Sequence, residues 1–160
     1  MRVFRASILI AALSLGSALP ARADITGFLG ATTTPENRSM RGLAFGAGLL
    51  LVGFEFEYAS TVQDLEVNAP SLKTGSGNLL LQTPVMIHGF QPYFTIGGGV
   101  YRERLGDVVD TGFAPNSGAG VKVALAGPLR LRVDYRVFRL GSGALYSPAH
   151  RIYAGLNLKF

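Results

Sequence analysis

Residues 151–160 read R-I-Y-A-G-L-N-L-K-F. Ile152, Ala154, Leu156, Leu158 and Phe160 share one parity, and Arg151, Tyr153, Gly155, Asn157 and Lys159 share the other. Successive side chains of a strand point to opposite faces. The segment therefore predicts a strand with one wholly apolar face and one polar face. The stretch just upstream repeats the pattern without fault. Leu129, Leu131, Val133, Tyr135 and Val137 alternate there with Arg130, Arg132, Asp134 and Arg136.

Six more alternating segments lie further back, at about 25–33, 40–50, 53–62, 76–85, 92–102 and 117–125. In the third, Phe54, Phe56 and Tyr58 face one way and Glu55 and Glu57 the other. In the sixth, Ala119, Val121 and Val123 oppose Gly118, Gly120 and Lys122. The connections alternate as well. Those at 51–52, 86–91 and 126–128 are short. Those at 34–39, 63–75, 103–116 and 139–150 are longer and carry the Pro, Gly, Asn and Asp of loops.

The N-terminus has the layout of a secretory leader. Arg2 and Arg5 precede an apolar stretch from Ile8 to Leu19, and Ala21-Arg22-Ala23 forms an A-x-A site. Residues 1–23 are expected to be a cleaved signal peptide, leaving a single domain at 24–160. The leader holds three Arg and no acid, so the chain's formal charge of +5 falls to +2 for that domain. The basic balance is thus no argument for a nucleic-acid partner. There is no Cys, so an exported fold would not depend on disulfides. Beyond the leader, the longest apolar stretch, Gly42 to Phe54, has 13 residues and four Gly. That is too short and too glycine-rich for a spanning helix. A membrane protein of this sequence must cross as strands, because every backbone donor and acceptor in the bilayer has to be paired within the structure.

Alternation alone leaves open which face is outside. The leader and the apolar, aromatic-ended last strand favour apolar outside and polar inside. The expected fold is all-β, an eight-stranded antiparallel up-and-down transmembrane barrel. Short turns on one rim and long loops on the other suit that architecture, and an even strand count puts both termini on the short-turn, periplasmic rim. Glycine at inward sites would leave room for larger side chains in a narrow interior.

Taken together, the A-R-A leader, the eight segments, V-D-Y-R-V-F at 133–138 and L-N-L-K-F at the end resemble the eight-stranded outer-membrane barrels, the group of OmpX-type barrels and the OmpA transmembrane domain. The resemblance covers all of 24–160. It implies an integral outer-membrane location, lipid and lipopolysaccharide as surroundings, and recognition of Phe160 as a C-terminal signal by the barrel-assembly machinery. Ending at Phe160, the sequence predicts no periplasmic peptidoglycan-binding domain of the OmpA kind. Family membership of this sort implies fold and place, not an activity.

The charged inward row is the main candidate site: Glu55, Glu57, Lys122, Arg130, Arg132, Asp134 and Arg136. Buried charge is costly unless paired, so these residues are expected to form an ion-pair network that fills the lumen, with Arg151 able to join. The expected function is non-enzymatic, structural or surface-interactive. A narrow or gated channel is the alternative, in which an ion pair exchanges partners, as the resemblance to the OmpA domain suggests. A second alternative is a lipid A-modifying enzyme. His150 with Ser147 and Asp110 or Glu103 would be its candidates, but the deacylase pattern places a Ser two residues after the His, where this chain has Ile152. A soluble barrel around an apolar ligand would invert the two faces. No catalytic set, cofactor site or metal site is expected, since His88 and His150 fall on opposite rims. The rim cations Arg38, Arg41, Lys73, Arg102, Arg104 and Arg139 read either as solvated loop charge or as contacts to lipopolysaccharide phosphates.

Overall fold

The computed structural model describes residues 22–160. Most of the expected leader, residues 1–21, lies outside the described residues. Eight strands follow in order: β1 Arg22–Thr32, β2 Arg38–Leu49, β3 Val52–Thr61, β4 Ser71–Gln82, β5 Phe90–Leu105, β6 Val108–Ala126, β7 Leu129–Phe138 and β8 Ala149–Lys159. Each pairs antiparallel with the next, and β8 returns to β1, closing the barrel. Closure leaves no open sheet edge. The ladder is staggered as it closes. Stepping from Leu29 through Arg41, Ser60, Lys73 and Arg102 reaches Thr111 of β6. Stepping the other way, through Ala154 and Val133, reaches Val121 of the same strand. That offset of ten residues, 121 against 111, means the strands tilt around a narrow interior.

The alternation sorts side chains as the sequence predicts. Phe56 is 73 % exposed and Leu29 70 %, whereas Glu55, Glu57, Arg132, Asp134 and Arg136 are buried. Two stretches differ from expectation. β4 begins at Ser71, so the connection before it is 62–70 rather than 63–75. The expected loop 103–116 is a hairpin, with β5 and β6 continuing to Leu105 and Val108 around a two-residue turn, Gly106 at φ +59°. Pro115 and Asn116 suggested a loop. Instead Pro115 sits in the ladder opposite Gly98, and its carbonyl accepts the Arg139 N–H at 2.9 Å. The missing N–H of a proline is tolerated there, while Tyr101, Glu103 and Val109 keep the strand alternation going.

Inward glycines do make room, but for aromatics of the adjacent strand rather than of the opposite wall. Phe28, Tyr93 and Tyr101 each face a paired glycine: Gly42, Gly120 and Gly112. A Cβ on Gly42 would stand 2.3 Å from the Phe28 ring, and one on Gly120 would stand 2.3 Å from the Tyr93 oxygen. The Phe28 ring also stacks on Tyr153 at 4.1 Å. These pairs fill part of the lumen with aromatic rings; toward the short-turn rim a cavity of about 450 Å³ remains, lined among others by Asp24, Glu55, Gln91, Lys122 and Arg130.

Candidate functional site, the ion-paired lumen

β7 supplies the centre of the site. Its inward residues Arg132, Asp134 and Arg136 each have a glycine beside them in the ladder: Gly155, Gly120 and Gly118. On their other sides stand Lys122, Tyr153 and Arg151. On the far wall β3 presents Glu55 and Glu57. Arg132 binds Glu55 through both terminal nitrogens and reaches Asp134 at 3.1 Å. Arg136 bridges Glu55 at 3.3 Å, Glu57 at 2.8 Å and Asp134 at 3.0 Å. Arg151 stands beside Arg136 in the ladder, and Glu57 lies 3.8 Å from it. Two like charges next to each other on paired strands would repel; Glu57 lies between them and contacts both.

Hydroxyls complete the layer. Tyr93 donates to Asp134 and accepts from Arg132 Nε at 2.7 Å. Tyr153 donates to Glu57 at 2.9 Å, and Arg151 donates to Thr74 at 2.7 Å. The Arg132 guanidinium lies 5.0 Å from the Tyr93 ring centre, and that of Arg151 lies 4.4 Å from Phe138. Three carboxylates, Glu55, Glu57 and Asp134, thus meet three guanidiniums, Arg132, Arg136 and Arg151, all buried. The layer is neutral as a unit.

Two sequence candidates sit elsewhere. Lys122 pairs with Asp24 at 2.9 Å, not with the β3 glutamates. Arg130 donates to Gln91 at 3.0 Å near the β4–β5 connection and contacts no carboxylate of the layer. Both lie closer to the short-turn rim, where β7 begins, so their side chains cannot reach Glu57. Sequence reasoning missed Asp24, Tyr93, Tyr153 and Thr74. The two tyrosines were findable, because each has inward parity on a strand whose other inward positions are mostly glycine, threonine or charged.

Above the charged layer the interior is mixed: Arg38, expected from the sequence to be a solvated rim cation, is instead buried there and donates to the Thr34 carbonyl at 2.6 Å, Glu103 is buried as well, and an apolar cluster packs at the same end. Leu72, Tyr101, Ala114, Phe138, Leu140 and Ala149 pack together. The connection 139–148 folds over them. Leu145 N–H donates to Glu103 at 2.7 Å, and Gly141 N–H donates to the Tyr101 hydroxyl at 3.1 Å. The enzyme candidates do not assemble. Ser147 Oγ is engaged by the backbone N–H and C=O of Leu140, at 3.0 and 3.1 Å. His150 Nδ1 bonds the Tyr135 hydroxyl at 2.6 Å, Asp110 accepts from Tyr101, and Glu103 serves the loop.

A closed eight-stranded antiparallel barrel with an apolar exterior and a polar interior is the fold of the small transmembrane barrels of the bacterial outer membrane. Solved structures of that class match the chain. Neisserial surface protein A is 15 % identical, with 88 % of this chain and 96 % of that chain covered and a TM-score of 0.65. The N-terminal barrel domain of Pseudomonas aeruginosa OprF is 16 % identical over 87 % and 97 %, at 0.62. The outer-membrane enzyme PagL is 15 % identical over 84 % and 98 %, at 0.55. No family model and no curated protein matches the chain. At these identities the likeness is one of fold, and an enzyme shares it.

Proposed function

We propose that this protein is a non-enzymatic integral barrel of the outer membrane, with a structural or surface-interactive role and a lumen closed by its own side chains. The observation that carries the reading is the neutral layer of three carboxylates and three guanidiniums, buried across the barrel and capped by an apolar cluster. Outside, the exposed aromatic and aliphatic girdle is far too large for a soluble monomer. Both termini would lie in the periplasm, with the connections 33–37, 62–70 and 139–148 and the β5–β6 hairpin at the cell surface. Residues 1–23 would be the export signal. Planar-bilayer recording tests the closure. The purified barrel is expected to add no unitary conductance to the membrane; stable open steps at low voltage would overturn it.

A gated channel is the second reading. Glu55 and Asp134 each touch both Arg132 and Arg136, so either acid has an alternative partner already in place. Under that reading, conductance would appear in the same recordings as brief events, and neutralising Glu55 would change their frequency.

The last strand also has a role to propose. β8 closes the barrel against β1, and its outward row runs through Ile152, Ala154, Leu156 and Leu158 to Phe160. We propose that this row, ending at Phe160, is the mark read by the barrel-assembly machinery. Deleting Phe160 is then expected to reduce heat-modifiable barrel in cell membranes sharply, while the purified variant still refolds in detergent. Even a charged substitution on the lipid face near the interface costs a barrel only about 0–1 kcal/mol, so losing one rim side chain should cost the folded state little. Normal insertion of the deletion in cells would remove this role.

A further inference from the structure

We propose that the outer surface running from β8 across β1 to β5 holds one molecule of lipopolysaccharide through its lipid A part. Arg41 and Lys73 would hold one phosphate, and an acyl chain would fill the groove beneath them. The inference rests on the transmembrane orientation proposed above. Arg41 pairs with Ser60 across β2–β3, and Ser60 pairs with Lys73 across β3–β4. All three are on the outward parity. Adjacent strands are about 4.8 Å apart, so the two cations are about 10 Å apart at the backbone, with the Ser60 hydroxyl between them. Long arms at that spacing can converge on one anion, Arg as a planar fork and Lys as a point charge.

The row climbs as it continues, because the strands tilt. Arg41 stands eight residues up β2 from Leu49, and Lys73 nine up β4 from Gln82. Arg102, the ladder partner of Lys73, stands twelve up β5 from Phe90. A tilted strand crosses the hydrocarbon in about 9–11 residues. Arg41 and Lys73 therefore sit at the outer hydrocarbon boundary, with Arg102 and Arg104 above it. At a similar height β7 and β8 carry Val137 and His150, with the exposed Arg139 just beyond β7. Four exposed cations, Arg41, Lys73, Arg102 and Arg104, thus stand on β2–β5 against one at β7–β8, a bias that a general attraction to the membrane surface does not require.

Two hollows accompany the cations. Below Arg41, Ser60 and Lys73 lies a groove of about 910 Å³, floored by Gly27 and Ala154 and walled by Leu29, Leu43, Tyr58 and Leu156. Above, a polar hollow of about 580 Å³ is lined by Ser71, Lys73, Arg102, Arg104 and Asp107. An apolar groove under two stacked cation stations suits an acylated headgroup with two separate phosphates. A glycerophospholipid offers one.

The test places the refolded protein in phosphatidylcholine nanodiscs, with heat-modifiable migration as the check on folding. Native mass spectrometry then measures retention of diphosphoryl lipid A, monophosphoryl lipid A and phosphatidylglycerol. One diphosphoryl lipid A per barrel is expected, retained in preference to the other two. The double variant Arg41→Ala/Lys73→Ala should weaken retention about thirtyfold, at about 1 kcal/mol for each of the two surface cations. Gly27→Leu should weaken it without removing charge, since a Cβ there meets Leu43 at an ordinary 3.7 Å and the added side chain fills the groove. Equal retention of phosphatidylglycerol, or unchanged retention in both variants of a folded barrel, overturns the site and leaves the barrel reading intact. A chain that fails to insert overturns both.

Discussion

Replacing Glu55 with Gln should lower the unfolding free energy by about 3–5 kcal/mol, the usual cost of leaving a buried charge without its partner. The size follows from the contacts. Glu55 is the only one of the three carboxylates in the layer that binds both terminal nitrogens of Arg132, and it also touches Arg136. Gln keeps the shape and one acceptor but removes the charge. Three guanidiniums would then face two carboxylates in a layer with almost no solvent exposure. Urea titration of the barrel refolded in detergent or lipid measures the loss. Arg132→Met on the Glu55→Gln background should recover part of it, because the excess cation is gone and the apolar arm remains. A single-variant loss below about 1 kcal/mol would put the layer in the range of solvent-screened pairs. The lumen would then be wet, and the channel reading would gain.

The fold was legible because alternation is a local property. The parity of β7 and β8 sets which of their residues face the lumen, and a one-residue slip would reverse every one of them. Parity also separated Glu55 and Glu57 from Phe54 and Phe56. It could not say which inward charges meet, because that depends on height in the barrel and on the stagger between distant strands. Lys122 and Arg130 have the right parity, yet Lys122, the ladder neighbour of Arg132, pairs with Asp24, and Arg130, nearer the rim, bonds Gln91. Asp24 was hidden for a different reason: standing next to the expected cleavage site, it read as a boundary rather than as part of a strand. The β5–β6 hairpin was obscured by Pro115 and Asn116, residues whose local preference for loops was overridden by a ladder continuing on both sides. The loop 139–148 carries no alternation at all. Its seat over Leu72 and Tyr101 comes from tertiary contacts that no periodic pattern announces.

Val133→Arg tests the other face of the same strand. Of the five outward residues of β7, from Leu129 to Val137, Val133 is the middle one, so it should lie near the bilayer midplane. Its ladder neighbours are Val121 and Ala154, both apolar and outward, and neither offers a partner for a guanidinium. Arginine at the midplane of a barrel's lipid face costs about 2–4 kcal/mol, falling to about 0–1 kcal/mol near the interfaces. The same substitution at Leu158, outward and one residue from the end of β8, should therefore cost much less. Reversible refolding into lipid vesicles, followed by denaturant titration, compares the two. A soluble barrel with the faces inverted predicts otherwise: Val133→Arg would replace a core residue in water-soluble protein, and the chain would refold without any bilayer. A large loss at 133 with a small one at 158, seen only in lipid, is what a hydrocarbon slab around this girdle requires. Equal losses at the two positions would mean that the exposed aromatic and aliphatic surface does not sit across a membrane.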